Sequence, residues 1–339
     1  MINARANMRR RAIFTLALIG AGLWAVVALS GLAAPSASNS HDRMGQPVLK
    51  GFAESRSEAQ EIRFTMVDDS YTLSRTASGW VMLESGGYPI RTDRLAELAG
   101  GLETLTFDQK RTNDPYKLDR IGLGDPSEGG TGVLIEVFGP DRELTATLIV
   151  GRKADTIYVR APGNPQSFRA KGDLPPFYNR RAWLDFNIIQ IDQSAIRSLR
   201  ITDPLGRSLY LSRRPGSDAR SFRPAPPNQN DTLISRLGAS TTALAITRLS
   251  ALDVKPASEL TTSSIARHIS ETFDGLEVDL NAYREPDGLW VTLRAVEAGE
   301  GARRAEEINS KAEGWAFRLS DYDFQDFTPD VTSLVTRAN

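Results

Sequence analysis

Cysteine is absent from the 339 residues, and histidine occurs only at His41 and His268. No disulfide, thiolate nucleophile or cysteine-ligated metal is therefore available. Two histidines so far apart cannot form a metal-binding pair on one helix. No Gly-Lys-Ser or Gly-Lys-Thr occurs, which excludes a P-loop, and no Gly-x-Ser-x-Gly elbow accompanies His268. Neither charge sign dominates: the formal net charge is −1. Four arginines and no acidic residue fall before residue 35, so the remainder is mildly acidic. That leaves no basic footprint for nucleic acid, and none is expected as a partner.

One uncharged run stands out, the 23 residues from Ala12 to Ala34. As a helix it would extend about 34 Å, enough to cross a hydrocarbon core. No face of it is polar, so a buried helix of a globular domain fits poorly. Arg5, Arg9, Arg10 and Arg11 precede it, which keeps the N-terminus cytoplasmic and sends the rest across. Residues 1–34 therefore read as a cytoplasmic tip and single-pass inner-membrane anchor, with a periplasmic remainder. A cleaved signal peptide competes, since Ala34 and Ala37 end small-residue cleavage sites. The hydrophobic region of such a peptide ordinarily runs about 7 to 15 residues, however. Residues 35–60 begin small and polar and read as a linker; 23 flexible residues would have a root-mean-square reach of about 25 Å.

Beyond residue 60 the pattern is of short strands. "IRFTMV", "YTLSR" and "WVML" are strand-like, with Asp68-Asp69 and Ser78-Gly79 at the turns. Leu95, Leu98, Leu102 and Leu105 recur at helical spacing, with Thr92 or Asp93 available as N-cap. "VLIEVFG", "ELTATLIVG" and "TIYVRA" follow as further strands. Connections too short for helical crossovers predict an α+β fold with mostly antiparallel strands.

The second half repeats the order of the first. Ile62 matches Ile196, Leu73 matches Leu211, and Trp80 matches Phe222, the offset growing from 134 to 142. Leu102–Leu244 and Leu134–Leu276 continue at the last offset. The expectation is two similar α+β units, residues 61–192 and 193–339, duplicated rather than stacked as a solenoid.

"DRIGLGDP", residues 119–126, is the stretch most suggestive of chemistry. A dinucleotide fingerprint requires a third glycine at position 127, which is Ser127, and a helix opening directly after the loop. Asp125-Pro126 instead has the chemistry of a turn.

The tract "GWVMLESGGYPIRTDRLAELAGGLETL", with "LDRIGLGDP", "LIVGRKADTIYVRA" and "RRAWLDF", resembles an uncharacterised bacterial family, domain of unknown function 4340 (DUF4340). The matching residues are Trp80, Gly122, Leu123, Pro126, Gly151, Tyr158, Val159 and Arg160. Ile121 stands where the family commonly has an aromatic. The resemblance covers about residues 60–190 and more loosely the stretch to about 335. It implies a membrane-anchored extracytoplasmic protein, often encoded beside a gliding-motility-type ABC transporter. It transfers no catalytic, metal or cofactor residue, and makes "GLGDP" a structural turn.

The remaining chemical candidates are sparse. "DYDFQDFTPD" holds Asp321, Asp323, Asp326 and Asp330, but an EF-hand beginning at Asp321 needs glycine at 326 and glutamate at 332, where Asp326 and Thr332 stand. Acid-rich helix starts account for the run. Trp80, Tyr158, Trp183, Trp290 and Trp315 would line a sugar or lipid cleft if they met, although strand-borne aromatics ordinarily pack the core. Arg180-Arg181 and Arg213-Arg214 read as solvated pairs. These features predict a non-catalytic accessory or binding protein of an ABC-type transport or envelope system, with permease and ATPase subunits as partners. An envelope scaffold docking through strand edges is the alternative. A hydrolase using paired carboxylates ranks last, because no pair marks itself out.

Overall fold

The computed structural model describes residues 43–296 and 302–337. The apolar run Ala12–Ala34, His41 and most of the expected linker lie outside the described residues. Among those described, no helix is long and apolar enough to cross a membrane.

The fold is mixed α+β, built on two large antiparallel sheets. A short helix α1 (Phe52–Ser55) precedes the first sheet. Its strands are β1 (Glu61–Thr65), β2 (Ser70–Thr76), β3 (Gly79–Met82) and β4 (Tyr88–Pro89). Helix α2 (Thr92–Thr104), β5 (Thr106–Lys110), β6 (Val133–Phe138), β7 (Leu144–Lys153), β8 (Thr156–Arg160) and β9 (Phe168–Lys171) complete it. Alternation is clearest in β1, where Ile62 and Phe64 are buried while Glu61, Arg63 and Thr65 face the other way. The leucines that predicted a helix supply its inner side, with Leu98 and Leu102 buried in α2 and Leu105 buried just beyond its end.

The second sheet begins with β10 (Ile196–Thr202), β11 (Ser208–Ser212) and β12 (Arg223–Pro224). After β13 (Thr232–Leu233) come α3 (Arg236–Leu244), β14 (Asp253–Pro256), β15 (Ala266–Thr272), β16 (Glu277–Glu285) and β17 (Gly288–Val296). Then follow α4 (Ala302–Ala312), β18 (Trp315–Leu319), α5 (Asp321–Phe327), α6 (Val331–Leu334) and β19 (Val335–Thr336), the last pairing with β13.

Strand order in the first sheet is β4-β3-β2-β1-β6-β7-β8-β9-β5, and in the second β12-β11-β10-β15-β16-β17-β18-β14. From β3 onward, each strand of one has a counterpart at the same place in the other. The ladders align residues as well. Leu73 faces Ile62 and Met82, as Leu211 faces Leu199 and Pro224. Trp80 faces Arg75, and Phe222 directly precedes Arg223, which faces Ser212. The counterpart of Ile62 is thus Leu199 rather than Ile196, because Leu199 is the residue that faces Leu211. Leu134 and Leu276 are not counterparts: Leu134 is on β6, whereas Leu276 sits between β15 and β16.

Residues 43–60 depart from the linker expectation, because their backbone has bonding partners on the first sheet. Gly45 N–H donates to Phe107 O at 2.7 Å, Phe107 N–H to Gln46 O at 3.0 Å, and Val48 N–H to Leu105 O at 2.8 Å. This strap covers the outer edge of β5, and Phe52 behind it is buried.

The two sheets share one hydrophobic core. Phe64, Tyr71 and Trp183 form an aromatic nest with centroids 4.6 to 6.4 Å apart, tied by Trp183 Nε1–H to Tyr71 Oη at 2.8 Å. Tyr88 packs edge-on against Trp315 at 4.9 Å, and its hydroxyl donates to Lys311 O at 3.2 Å. Arg180 pairs with Asp253 at 2.9 Å and Lys311 with Asp185 at 2.8 Å, across the same seam.

Candidate functional site

The outer face of the first sheet is covered over β6–β8 by residues 115–132, the segment that contains "GLGDP". Leu118 and Leu123 bury themselves against Ile149, with Ile121, Leu134 and Tyr158 packed around them as a satellite core. Gly122 turns the chain at φ +70°, and Gly151 lets it approach β7. A Cβ on Gly151 would lie 2.4 Å from Gly122 O and 2.5 Å from Ile121 O, so no larger residue fits.

Arg160 pins this cover from β8. Its side chain is buried and its Nε–H donates to Leu123 O at 2.7 Å, while Nη2 lies 3.4 Å from Asp125 Oδ2. Six of the eight family-type residues therefore meet at one node: Gly122, Leu123, Pro126, Gly151, Tyr158 and Arg160. Val159 lies on the opposite face, fully buried in the main core. Trp80 stands apart on β3, partly buried at the edge of that core.

A hollow of about 300 Å³ opens beside the node, lined by Asp119, Asp125, Glu128, Arg160 and neighbouring loop residues. Most amide N–H groups of the loop around it are already spent. Those of Gly122 and Leu123 donate to Asp119 O and Leu118 O, and those of Glu128, Gly129, Gly130 and Gly132 donate within the loop. Ser127 N–H goes to Asp125 Oδ1 and Thr131 N–H to Asp119 Oδ1. A phosphate-binding loop needs free N–H groups and no fixed carboxylates. With three acids around it, this hollow is a poor anion site.

Other sequence candidates are dispersed. His268 is buried on β15, its Nε2 2.9 Å from Thr242 O and its ring edge-on to Phe327 at 5.2 Å. Burial lowers its pKa to about 4, so the ring is neutral at physiological pH. Asp330 is the N-cap of α6 and pairs with Arg207 at 2.6 Å, while Ser320 caps α5 just before Asp321. Among the described residues, no three His, Asp or Glu side chains gather within reach of one metal ion.

The five aromatics do not share a cleft. Trp183 and Trp290 are buried, Tyr158 belongs to the outer satellite and Trp315 to the seam. Of the arginine pairs expected to be solvated, Arg181 and Arg214 are exposed, whereas Arg180 is half-buried and Arg213 is buried. Arg213 is buried between Phe222 and Phe273, centroids 5.7 and 5.0 Å away, and donates to the carbonyls of Gln193, Ser194 and Ser217. Arg180 and Arg181 reach Asp253 and Ala251 O across the seam. Sequence distance hid the partners of Arg180 and Arg181, about 70 residues away in the chain.

Two hollows went unforeseen. One of about 500 Å³ lies at the seam between Tyr88, Arg91, Asp93, Asp185 and Lys311, its charges already paired as Arg91–Asp93 and Lys311–Asp185. Another of about 450 Å³ lies under the strap. Both join segments far apart in the chain, so no local motif marks them.

The fold and its node define a two-sheet α+β protein whose most distinctive residues serve packing. The chain belongs to the DUF4340 family, a domain of unknown function, whose profile matches residues 80–266, from β3 into the start of β15. No curated protein and no solved structure matches it.

Proposed function

We propose that this chain is a membrane-anchored, extracytoplasmic accessory or binding protein of an ABC-type transport or envelope system, without catalysis of its own. The observation that carries this reading is the uncharged run Ala12–Ala34 with Arg5, Arg9, Arg10 and Arg11 before it. Family membership is consistent with it. Two sequence candidates for chemistry are accounted for without it: His268 faces Thr242 O and Phe327, and Asp330 holds a helix end.

Docking through strand edges is the weaker alternative. β4 and β12 are two-residue strands, β5 is covered by the strap, and β14 is four residues long and ends in Pro256. Short and covered edges offer little ladder to a partner. A partner would meet faces and loops instead.

We also infer that residues 61–192 and 193–339 descend from one duplicated unit, on the shared strand order and aligned registers.

The experiment is co-purification of the full-length chain in mild detergent, after carbonate washing of membranes. Retention in the carbonate pellet with permease and ATPase subunits supports the reading. A soluble mature form starting near Pro35 would sink the anchor, and absence of any transporter subunit would move the assignment to a scaffold.

A further inference from the structure

The hollow under the strap differs in charge from the two just described. Val48 and Leu49 of the strap, Phe107 of β5, Leu148 of β7 and Phe168 of β9 make its apolar wall. Arg43 and Lys50 stand at its rim and Arg160 at its inner end, and no carboxylate side chain lines it. Arg160 is engaged by Leu123 O and Asp125. Arg43 and Lys50 make no ion pair with any described residue. Cations that have no carboxylate partner among the described residues, beside an apolar cavity, favour a ligand with the opposite charge at one end and an apolar body. Such a ligand keeps its head in water at the rim, avoiding the cost of burying a charge, while its body removes apolar surface from solvent.

The volume sets the size. At about 30 Å³ per water-sized atom, 450 Å³ holds about 15 non-hydrogen atoms, within the usual range for small-molecule sites. A twelve-carbon chain with a carboxylate head has 14. We propose that this cavity binds a single-chain amphiphile with an anionic carboxylate or phosphate head. The head lies at Arg43 and Lys50, and the chain runs between the strap and the Phe107–Phe168 pair, whose rings are 4.7 Å apart. The proposal goes beyond the transport-accessory reading and fails separately from it. Labelling the cavity needs no transporter subunit, and co-purifying a transporter needs no amphiphile.

The test is photo-crosslinking of the full-length chain, in dodecyl maltoside, with dodecanoate bearing a diazirine at the chain end. Label should concentrate on peptides covering residues 43–50 and 161–168. Excess dodecanoate or dodecyl phosphate should suppress it at least tenfold, and the stronger competitor identifies the head group. Dodecanol should compete no better than the detergent. Reversing the rim charge in an Arg43→Glu/Lys50→Glu double variant should cut labelling at least tenfold. So should filling the mouth by Ala161→Trp, a substitution at an exposed position. Both variants should keep the wild-type melting temperature. The proposal is overturned by label spread over the exposed surface, by equal competition from dodecanol, by displacement with inorganic phosphate alone, or by wild-type labelling of both folded variants.

Discussion

His268 occupies in the second sheet the place that Ile135 holds in the first: His268 faces Ile201 and Leu280, as Ile135 faces Phe64 and Leu148. An imidazole here forgoes hydration for one firm contact, Thr242 O at 2.9 Å, with Ser270 Oγ more distant at 3.4 Å from Nδ1. Its pKa of about 4 lies below the ordinary 6.5, so between those values the unfolded chain binds the extra proton. Stability from this group is therefore intact above about pH 6.5 and is lost as pH falls toward 4, by roughly 3 kcal/mol in all. Replacing it by the residue its counterpart uses, His268→Ile, should flatten that part of the profile. Urea midpoints measured from pH 7 to pH 4 for both proteins should diverge in the acid range by that order. Parallel profiles would mean that the ring escapes to solvent or already carries its proton. Neighbouring counterparts carry a similar lesson. Gly151 and Tyr158 align with Tyr283 and Trp290, which face each other on β16 and β17. Where the first sheet needs a glycine to admit its cover, the second lacks the cover and a tyrosine fills the position.

At the scale of elements, what was legible followed from short-range regularity. Alternation placed β1 and β2, short apolar and β-branched runs placed β3, β6 and β8, and the leucine spacing placed α2. "GLGDP" was legible as a turn for a similar reason: Asp125-Pro126 and the missing third glycine are local facts. The strap was not legible. Residues 43–60 have neither alternation nor a long apolar run, and what orders them is a set of bonds to β5 some 60 residues away, plus the single buried ring of Phe52. Arg213 likewise became a core residue only through Phe222, Phe273 and three carbonyls that the fold brings to it. The strap also makes a checkable claim. Truncating Phe52 to alanine removes the side chain that anchors it, a change of about 3–5 kcal/mol for a buried phenylalanine. If the strap depends on that anchor, amide exchange should quicken first at Phe107, whose N–H donates to Gln46 O, while the β6–β7 ladder stays protected. Hydrogen-exchange mass spectrometry of the 104–110 peptide reads this directly. Unchanged protection there would show that the backbone bonds hold the strap without the ring.

For the whole molecule, the strap changes the geometry of attachment. Sequence alone allowed a tether of about 23 residues between the apolar run and the first strand. Bonding of residues 45–48 to β5 leaves residues 35–42 between the end of that run and the fold. Eight residues reach at most about 28 Å fully extended, whatever their conformation. Under the anchor proposal, the strap and the amphiphile cavity beside it then lie within that distance of the membrane surface, and the domain is confined near a membrane partner. Confinement acts through effective concentration, which falls roughly as the −3/2 power of tether length. Inserting 20 glycine and serine residues between residues 42 and 43 lengthens the connection from eight to 28 and should lower that concentration about sixfold. The fold is not touched, so the melting curve should be unchanged. Recovery of permease and ATPase subunits with the full-length chain should drop by a comparable factor when the partner is limiting. Equal recovery at both tether lengths would mean that affinity resides wholly in the folded faces and that the short connection serves another end.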